Sequence, residues 1–113
     1  MEAELNGSGT AKDLYSALPV ESEISTWGDE VYFPVPVNRS LENPVETVDP
    51  GDIAYWPSGS AFCIFFGMTP ASSPGEIRPA SAVSPLGKLL GDPADWKKAS
   101  AGEAVRIEVS NVL

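Results

Sequence analysis

Prolines and glycines interrupt this chain so often that they decide what it can fold into. Eleven prolines and ten glycines are spread over 113 residues, so the uninterrupted segments are short. Segments of this length between turn-forming residues are typical of strands and unfavourable for long helices. We therefore expect a mainly β fold with one or two short helices, in a single domain over residues 1–113.

Alternating and apolar runs predict about seven strands, separated by turns and loops. The strands are expected at residues 2–5, 20–26, 31–37, 53–56, 61–66, 83–90 and 105–109. A long loop is expected at residues 67–82, where Pro, Ser, Gly and Ala dominate. A short helix is expected to begin at residues 92–96, where a capping acid, a proline and a second acid follow one another.

A second, earlier helix is predicted between Thr10 and Pro19. The Thr10 hydroxyl can cap its first turn, with Asp13 completing a capping box. Pro19 cannot continue the helix and so ends it. The spacing of apolar residues indicates that Leu14 and Tyr15 pack on the end of a barrel.

Pro34 and Pro36 restrict how the strand at residues 31–37 can pair. Alternate backbone N–H groups of a strand point the same way, so two prolines two residues apart remove donors from the same edge. The strand can pair fully only through its other edge. This indicates a sheet edge, a barrel seam or a bulge.

Residues 61–66 are apolar at successive positions, which is typical of a central strand covered on both faces. They include Cys63, the only cysteine in the sequence, so no internal disulfide can form. A lone cysteine in such a run is usually a small buried apolar residue. A small closed barrel or a sandwich is the architecture that these strands favour.

The formal net charge is −9. Such a charge repels phosphate backbones and anionic lipid headgroups, so we expect neither nucleic acid nor a membrane as partner. Basic peptides and cations stay open, and solubility is the simplest reason for the charge. No apolar run reaches the ~20 residues that span a bilayer, and residues 1–18 do not resemble a signal peptide. The expected location is cytoplasmic.

The chain contains no histidine, which removes the commonest general base and metal ligand. The nucleotide-binding glycine motifs are absent as well. We therefore expect no catalytic residue, no metal site and no cofactor. Three acidic pairs are interpreted as solvated faces or turn residues: Glu21 with Glu23, Asp29 with Glu30, and Asp49 with Asp52. The last pair brackets a Pro-Gly turn and could hold a hard cation weakly.

Candidate ligand-binding residues are aromatic side chains near turns and on central strands, together with one arginine. They are Trp27, Tyr32, Trp56, Phe62, Phe65 and Arg78. Aromatic residues in such positions either belong to the core or line a concave apolar pocket, and the sequence leaves both readings open. Arg78 lies in the long loop, where it is either a polar group at the rim of that pocket or half of a salt bridge.

Three stretches of the chain resemble cyclophilins. Residues 4–5 and 10–14 (TAKDL) resemble the family's second strand and its T-A-x-N-F helix start. Residues 59–64 (GSAFCI) resemble its G-S-Q-F-F-I strand. Residues 86–91 (LGKLLG) resemble its F-G-K-V-x-x-G segment, and residues 96–98 resemble the helix that follows it.

A closer resemblance is to the small prokaryotic cyclophilin-like domains of unknown function. It rests on residues 26–30 (TWGDE), 51–57 (GDIAYWP), 61–67 (AFCIFFG) and 78–81 (RPAS). The resemblance implies a compact, closed, eight-stranded cyclophilin-like β-barrel with a helix at one end.

The chain departs from the cyclophilin isomerases where catalysis is concerned. Their F-H-R motif supplies an arginine that polarises the prolyl amide, whereas no arginine precedes Arg39 here. The family's glutamine corresponds to Ala61, and a histidine expected near Val83 is missing; apolar floor positions such as Phe62 are retained. Stabilising a twisted amide requires a positioned donor.

The resemblance therefore favours a non-catalytic module that binds a peptide or a small ligand. The alternative is a weak peptidyl-prolyl cis-trans isomerase in which Arg78 replaces the missing arginine. A structural or assembly role is a third reading.

The amino end raises a question of sheet closure. Related domains carry a strand before the one that starts at Met1. If Met1 is the true start, the barrel lacks a strand and leaves unpaired backbone groups. We expect another segment or a partner chain to fill that gap, so the chain is either a monomer or a homodimer through an open barrel edge.

Overall fold

A computed structural model describes residues 1–110 of the chain. In that range the fold contains eight strands, one α-helix and two 3₁₀-helices. They are β1 (Ala3–Leu5), α1 (Gly9–Ala17), β2 (Val20–Glu23), β3 (Ser25–Thr26), β4 (Glu30–Pro34), β5 (Asp52–Trp56), the 3₁₀-helix Pro57–Gly59, β6 (Ala61–Phe65), β7 (Ser84–Leu89), the 3₁₀-helix Pro93–Lys98 and β8 (Ala104–Ile107). Residues 111–113 of the predicted domain lie outside the described part, so its extent over 1–113 stays a prediction.

The strands form two antiparallel sheets. One has six strands in the order β1-β7-β5-β6-β4-β3, and the other consists of β2 and β8. The expectation of a mainly β fold with short helices is confirmed. In the described part of the chain no sheet closes on itself, so the closed barrel is not supported.

The segment expected as one strand at residues 20–26 is divided, and this separates the two sheets from each other at β3. Its first part pairs with β8, and its last two residues pair with β4. Ile24 lies at the break, buried, with its N–H donating to the Glu103 carbonyl at 3.0 Å. Because β3 is only two residues long, it cannot carry the ladder from β4 across to β2 and β8.

Helix α1 begins two residues earlier than the sequence indicates. Ser8 is its N-cap, and the Ser8 hydroxyl accepts a hydrogen bond from the Ala11 N–H at 3.2 Å. Thr10 is instead buried inside the first turn. Leu14 packs in the core as expected, whereas the prediction for Tyr15 is wrong, because 54% of its surface is exposed.

Strand β4 confirms the pairing restriction that its prolines predicted. The Val35 N–H donates to the Ser60 carbonyl, on the side of β6. Alternate positions point the other way, so the nitrogens of Pro34 and Pro36 face the opposite edge, where β3 reaches only Val31 and Tyr32. The N–H groups that Pro34 and Pro36 lack would therefore lie on an edge where no strand pairs with these two residues.

The six-stranded sheet has two apolar faces. We call the face that packs against α1, β2 and β8 the inner face; its buried side chains include Val31, Phe33, Ile53, Phe62 and Ile64. The outer face carries Ala54, Ala61, Cys63 and Phe65, and is covered by Ile77 of the long loop and by Val83, which directly precedes β7. Both faces of β6 are therefore buried, as the apolar run predicted, and Cys63 is a buried free thiol.

Candidate functional site

The predicted site residues do not all lie on the same side of the sheet. Tyr32, Trp56 and Phe65 belong to the outer face. Trp27 follows β3, and its N–H donates to the Glu30 carbonyl, so strand alternation assigns it to the same face. Phe62 lies on the inner face, where its ring stacks on Phe33 with the centroids 5.2 Å apart.

The outer-face aromatic side chains form a packed surface. The rings of Tyr32 and Trp56 meet edge to face, with centroids 6.4 Å apart and planes at 78°. The Trp56 indole N–H donates to the Ser81 hydroxyl at 2.7 Å. The strand positions beneath them, Ala61 and Cys63, are buried. These contacts join the outer-face aromatic side chains to each other and to Ser81.

Arg78 is held in ion pairs at the protein surface. Its Nε donates to Glu76 Oε2 at 2.7 Å, and its Nη1 lies 4.0 Å from Glu46 Oε2. The hydrogen bond to Glu76 is also the main reason why the pKa of Arg78 is raised. Of the two readings that the sequence left open, the contacts match the salt bridge.

Phe62 lines a different concavity, which we call the seam cleft. It lies between β1, α1 and β8 and has a volume of about 830 Å³. Its floor is the inner face of the sheet, and its apolar walls come from the helix, the second 3₁₀-helix and the last strand. The lining includes Leu5, Leu14, Tyr15, Leu18, Phe33, Ile53, Phe62, Ile64, Trp96, Val105, Ile107 and Val109.

Several apolar side chains of the seam cleft are incompletely covered. Met1, Tyr15 and Val109 are 60%, 54% and 41% exposed, and all three line the cleft. Trp96 is half-buried at its edge, with its indole N–H 3.4 Å from the Met1 sulfur. Exposed apolar side chains that line a concave cleft are a common mark of a binding site.

The rim of the seam cleft is acidic. Glu2 and Glu4 project from β1, and Glu108 follows β8. Arg106 also lines the cleft, but its guanidinium is engaged by Glu21 Oε1 at 2.6 Å and Glu108 Oε2 at 3.0 Å. The net field at the opening is therefore negative.

A second concavity of about 730 Å³ lies beside β7, between β1 and residues 45–49. An ion pair between Lys88 Nζ and Asp52 Oδ1, 2.5 Å apart, stands in its wall. The other carboxylate oxygen of Asp52 accepts a hydrogen bond from the Asp49 N–H at 2.8 Å. The Asp49–Asp52 pair thus serves a turn and an ion pair.

Glu30 differs from what the sequence indicated. It was expected as a solvated turn residue, but it begins β4 and is only 6% exposed. Burial raises the pKa of Glu30 to about 7, an effect partly offset by the Cys63 side chain. Burial also raises the pKa of the Cys63 thiol, with a further contribution from the Glu30 charge. The Cys63 thiol is not set up as a nucleophile, because its thiolate form is disfavoured.

Sequence reasoning missed most of the seam cleft. Val105 and Ile107 were recognised as one face of a strand, but nothing local places that face opposite β1. Trp96 was read only as part of a helix start. These half-covered side chains lie between β1 and β8, beside the open edge that the sequence indicated at the amino end.

Two further observations concern the described residues as a whole. Among residues 1–110, no three acidic or cysteine side chains converge in a way that could hold a metal ion. None of the described helices is long and apolar enough to cross a bilayer.

Comparison with known proteins shows the family of the chain and a similar solved structure. The family model for cyclophilin-like proteins matches residues 1–108. The solution structure of a hypothetical protein from Archaeoglobus fulgidus is 39% identical, with a TM-score of 0.77, over 94% of this chain and 83% of that chain. No curated protein matches this chain.

Proposed function

The chain belongs to the cyclophilin-like family, and we propose that it is a non-catalytic binding module whose seam cleft takes an extended peptide or a small apolar ligand. The observation that carries this proposal is the set of half-covered apolar side chains around an open cleft of about 830 Å³. Sites for peptides and small molecules are usually concave, largely apolar and of this size.

The polar groups of the cleft support binding more than catalysis. The charged side chains that line it within the described residues are Glu2, Glu4, Arg106 and Glu108. The one cation among them already has two carboxylate partners. A group committed to such pairs is poorly placed to stabilise charge that develops on a substrate.

The alternative of a weak prolyl isomerase acting through Arg78 has less support. The Arg78 guanidinium donates hydrogen bonds to Glu76 from both Nε and Nη2. Polarising a prolyl amide would require breaking those hydrogen bonds. The neighbouring rings of Tyr32 and Trp56 pack edge to face against each other.

An NMR titration tests the binding proposal. Apolar and proline-containing peptides are added to the labelled chain, and the three tryptophan indole signals act as reporters. Binding in the seam cleft should move the Trp96 indole signal and the amides of residues 1–5 and 105–110, and should leave Trp27 and Trp56 in place.

Two variants provide the matched comparison. Tyr15→Ser removes an exposed apolar side chain of the cleft, whereas Leu41→Ser removes one that is 45% exposed and does not line it. We expect weaker binding only for Tyr15→Ser. Shifts centred on Trp27 and Trp56, or equal effects of the two variants, would contradict this location.

A further inference from the structure

The seam cleft is bordered by a strand whose outer edge is unpaired. From this we infer that its occupant is an extended basic segment of another protein, which adds to β1 as an antiparallel strand. The inference rests on the proposed function and specifies the partner. In the described part of the chain β1 pairs with β7 alone, and β8 pairs with β2 alone.

The hydrogen bonds of β1 show which groups are free at that edge. The Leu90 N–H donates to the Glu2 carbonyl at 2.9 Å, and the Asn6 N–H donates to the Leu86 carbonyl at 2.7 Å. Glu4, and the residues Glu2 and Asn6 on either side of β1, therefore direct their backbone N–H and C=O groups towards β7. By alternation, the N–H and C=O groups of Ala3 and Leu5 point to the open side. An antiparallel partner strand could therefore exchange hydrogen bonds with Ala3 and with Leu5.

Side chains of β1 alternate in the complementary way. Leu5 packs against the inner-face core, whereas Glu2 and Glu4 are exposed. A strand added beside β1 would follow the same alternation. Its residues opposite Ala3 and Leu5 would enter the apolar cleft, and those opposite Glu2 and Glu4 would stand beside carboxylates. An alternating apolar and basic segment satisfies both conditions.

The overall charge favours a basic partner over a second copy of this chain. With a net charge of −9 on each molecule, two copies repel each other. Pairing β1 with its own copy would also place acidic side chains against acidic side chains. The short edge of β1 provides few backbone bonds, so side chains in the cleft and ion pairs at its rim must provide most of the affinity.

The experiment compares four synthetic peptides in the same NMR titration. The first is an alternating Lys-Val heptapeptide, and the second carries Glu in place of Lys. The third and fourth carry N-methyl groups on the valine amides or on the lysine amides. Antiparallel addition uses the amides of the inward residues, so valine methylation should weaken binding by roughly tenfold or more. Lysine methylation should change it much less.

A matched pair of variants tests the charge argument. Glu4→Lys reverses a rim charge next to the added strand, whereas Glu46→Lys makes the same change at a side chain that is 83% exposed elsewhere. We expect Glu4→Lys to weaken binding of the Lys-Val peptide by roughly threefold to tenfold, and Glu46→Lys to have a smaller effect. High salt should reduce the difference.

The outcomes separate this inference from the proposal beneath it. The peptides could move the seam-cleft signals without any effect of methylation or charge, or with an equal loss of affinity for both methylated peptides. Either result would mean that strand addition is wrong, whereas the proposed binding module would stand. If neither these peptides nor the apolar ligands move those signals, the proposed function fails as well.

Discussion

The carboxylate of Glu42 closes the first turn of α1 through Thr10. One Glu42 oxygen accepts hydrogen bonds from the Thr10 N–H at 2.8 Å and from the Thr10 hydroxyl at 2.6 Å, and the other accepts from the Gly9 N–H at 3.0 Å. A residue more than thirty positions away thus provides acceptors for helix N–H groups that have no partner within the helix. The same contact ties residues 38–50 to the helix that walls the seam cleft.

Glu42→Gln should lower the melting temperature at neutral pH. The hydrogen bonds from Thr10 and Gly9 lower the pKa of Glu42 to about 2. A lowered pKa means that the carboxylate stabilises the fold above the unfolded value of about 4.5, and that this contribution is lost as the pH falls towards 2. Thermal melts between pH 2 and pH 7 should show that the difference in melting temperature between wild type and variant becomes smaller in acid. Glu46→Gln, at an exposed position, is the control. A difference in melting temperature that does not change with pH would contradict this role of the Glu42 carboxylate.

Glu30→Gln should stabilise the protein in alkali. Because burial raises the pKa of Glu30 to about 7, the protonated form is the one that suits the fold. Its contribution is complete below the unfolded pKa of about 4.5 and is lost as the pH rises through 7. The glutamine side chain is uncharged, so its burial does not carry the free-energy cost of burying a carboxylate. Urea unfolding should therefore show the variant to be more stable than wild type at pH 8, by on the order of 2 kcal/mol, with little difference at pH 4. Equal stabilities at pH 8 would mean that the carboxylate is solvated.

Arg78→Ala should leave any prolyl isomerase activity unchanged. The guanidinium is held by Glu76 and so is not directed at a substrate. A chymotrypsin-coupled assay on a proline-containing peptide measures this directly, with Arg39→Ala as a second arginine variant. Activity that is present in the wild type and abolished only in Arg78→Ala would restore the isomerase alternative.

Gly87→Ala should detach β1 from the sheet. Gly87 has φ +147°, and an added Cβ would overlap the backbone carbonyl of Glu4. Gly75 also has positive φ, at +84°, but has open space around it. Gly75→Ala should cost about 1 kcal/mol of unfolding free energy, and Gly87→Ala roughly 2–4 kcal/mol because strain adds to the backbone cost. Amide exchange should show Glu4 and Asn6, whose N–H groups face β7, unprotected only in the Gly87 variant; similar costs for both variants would contradict the close contact.

The sequence predicted the elements better than the site. Strands β5, β6 and β7 lie within a residue or so of their expected ranges, because alternation and turn residues act locally. The separation of Phe62 from Phe65 could also have been read from the sequence, since residues an odd number apart in a strand face opposite sides. Glu30 was misassigned because β4 begins at that residue and not after it.

The sequence by itself determined a mainly β chain with a buried central strand, a strand restricted to one pairing edge by Pro34 and Pro36, and no histidine for acid–base chemistry. Only the tertiary structure decided that β8 lies across a cleft from the open edge of β1, and that half-covered apolar side chains meet there. The physical reason is that alternation fixes which way each side chain points along one strand, whereas the neighbours of an edge depend on pairings between residues far apart in the chain.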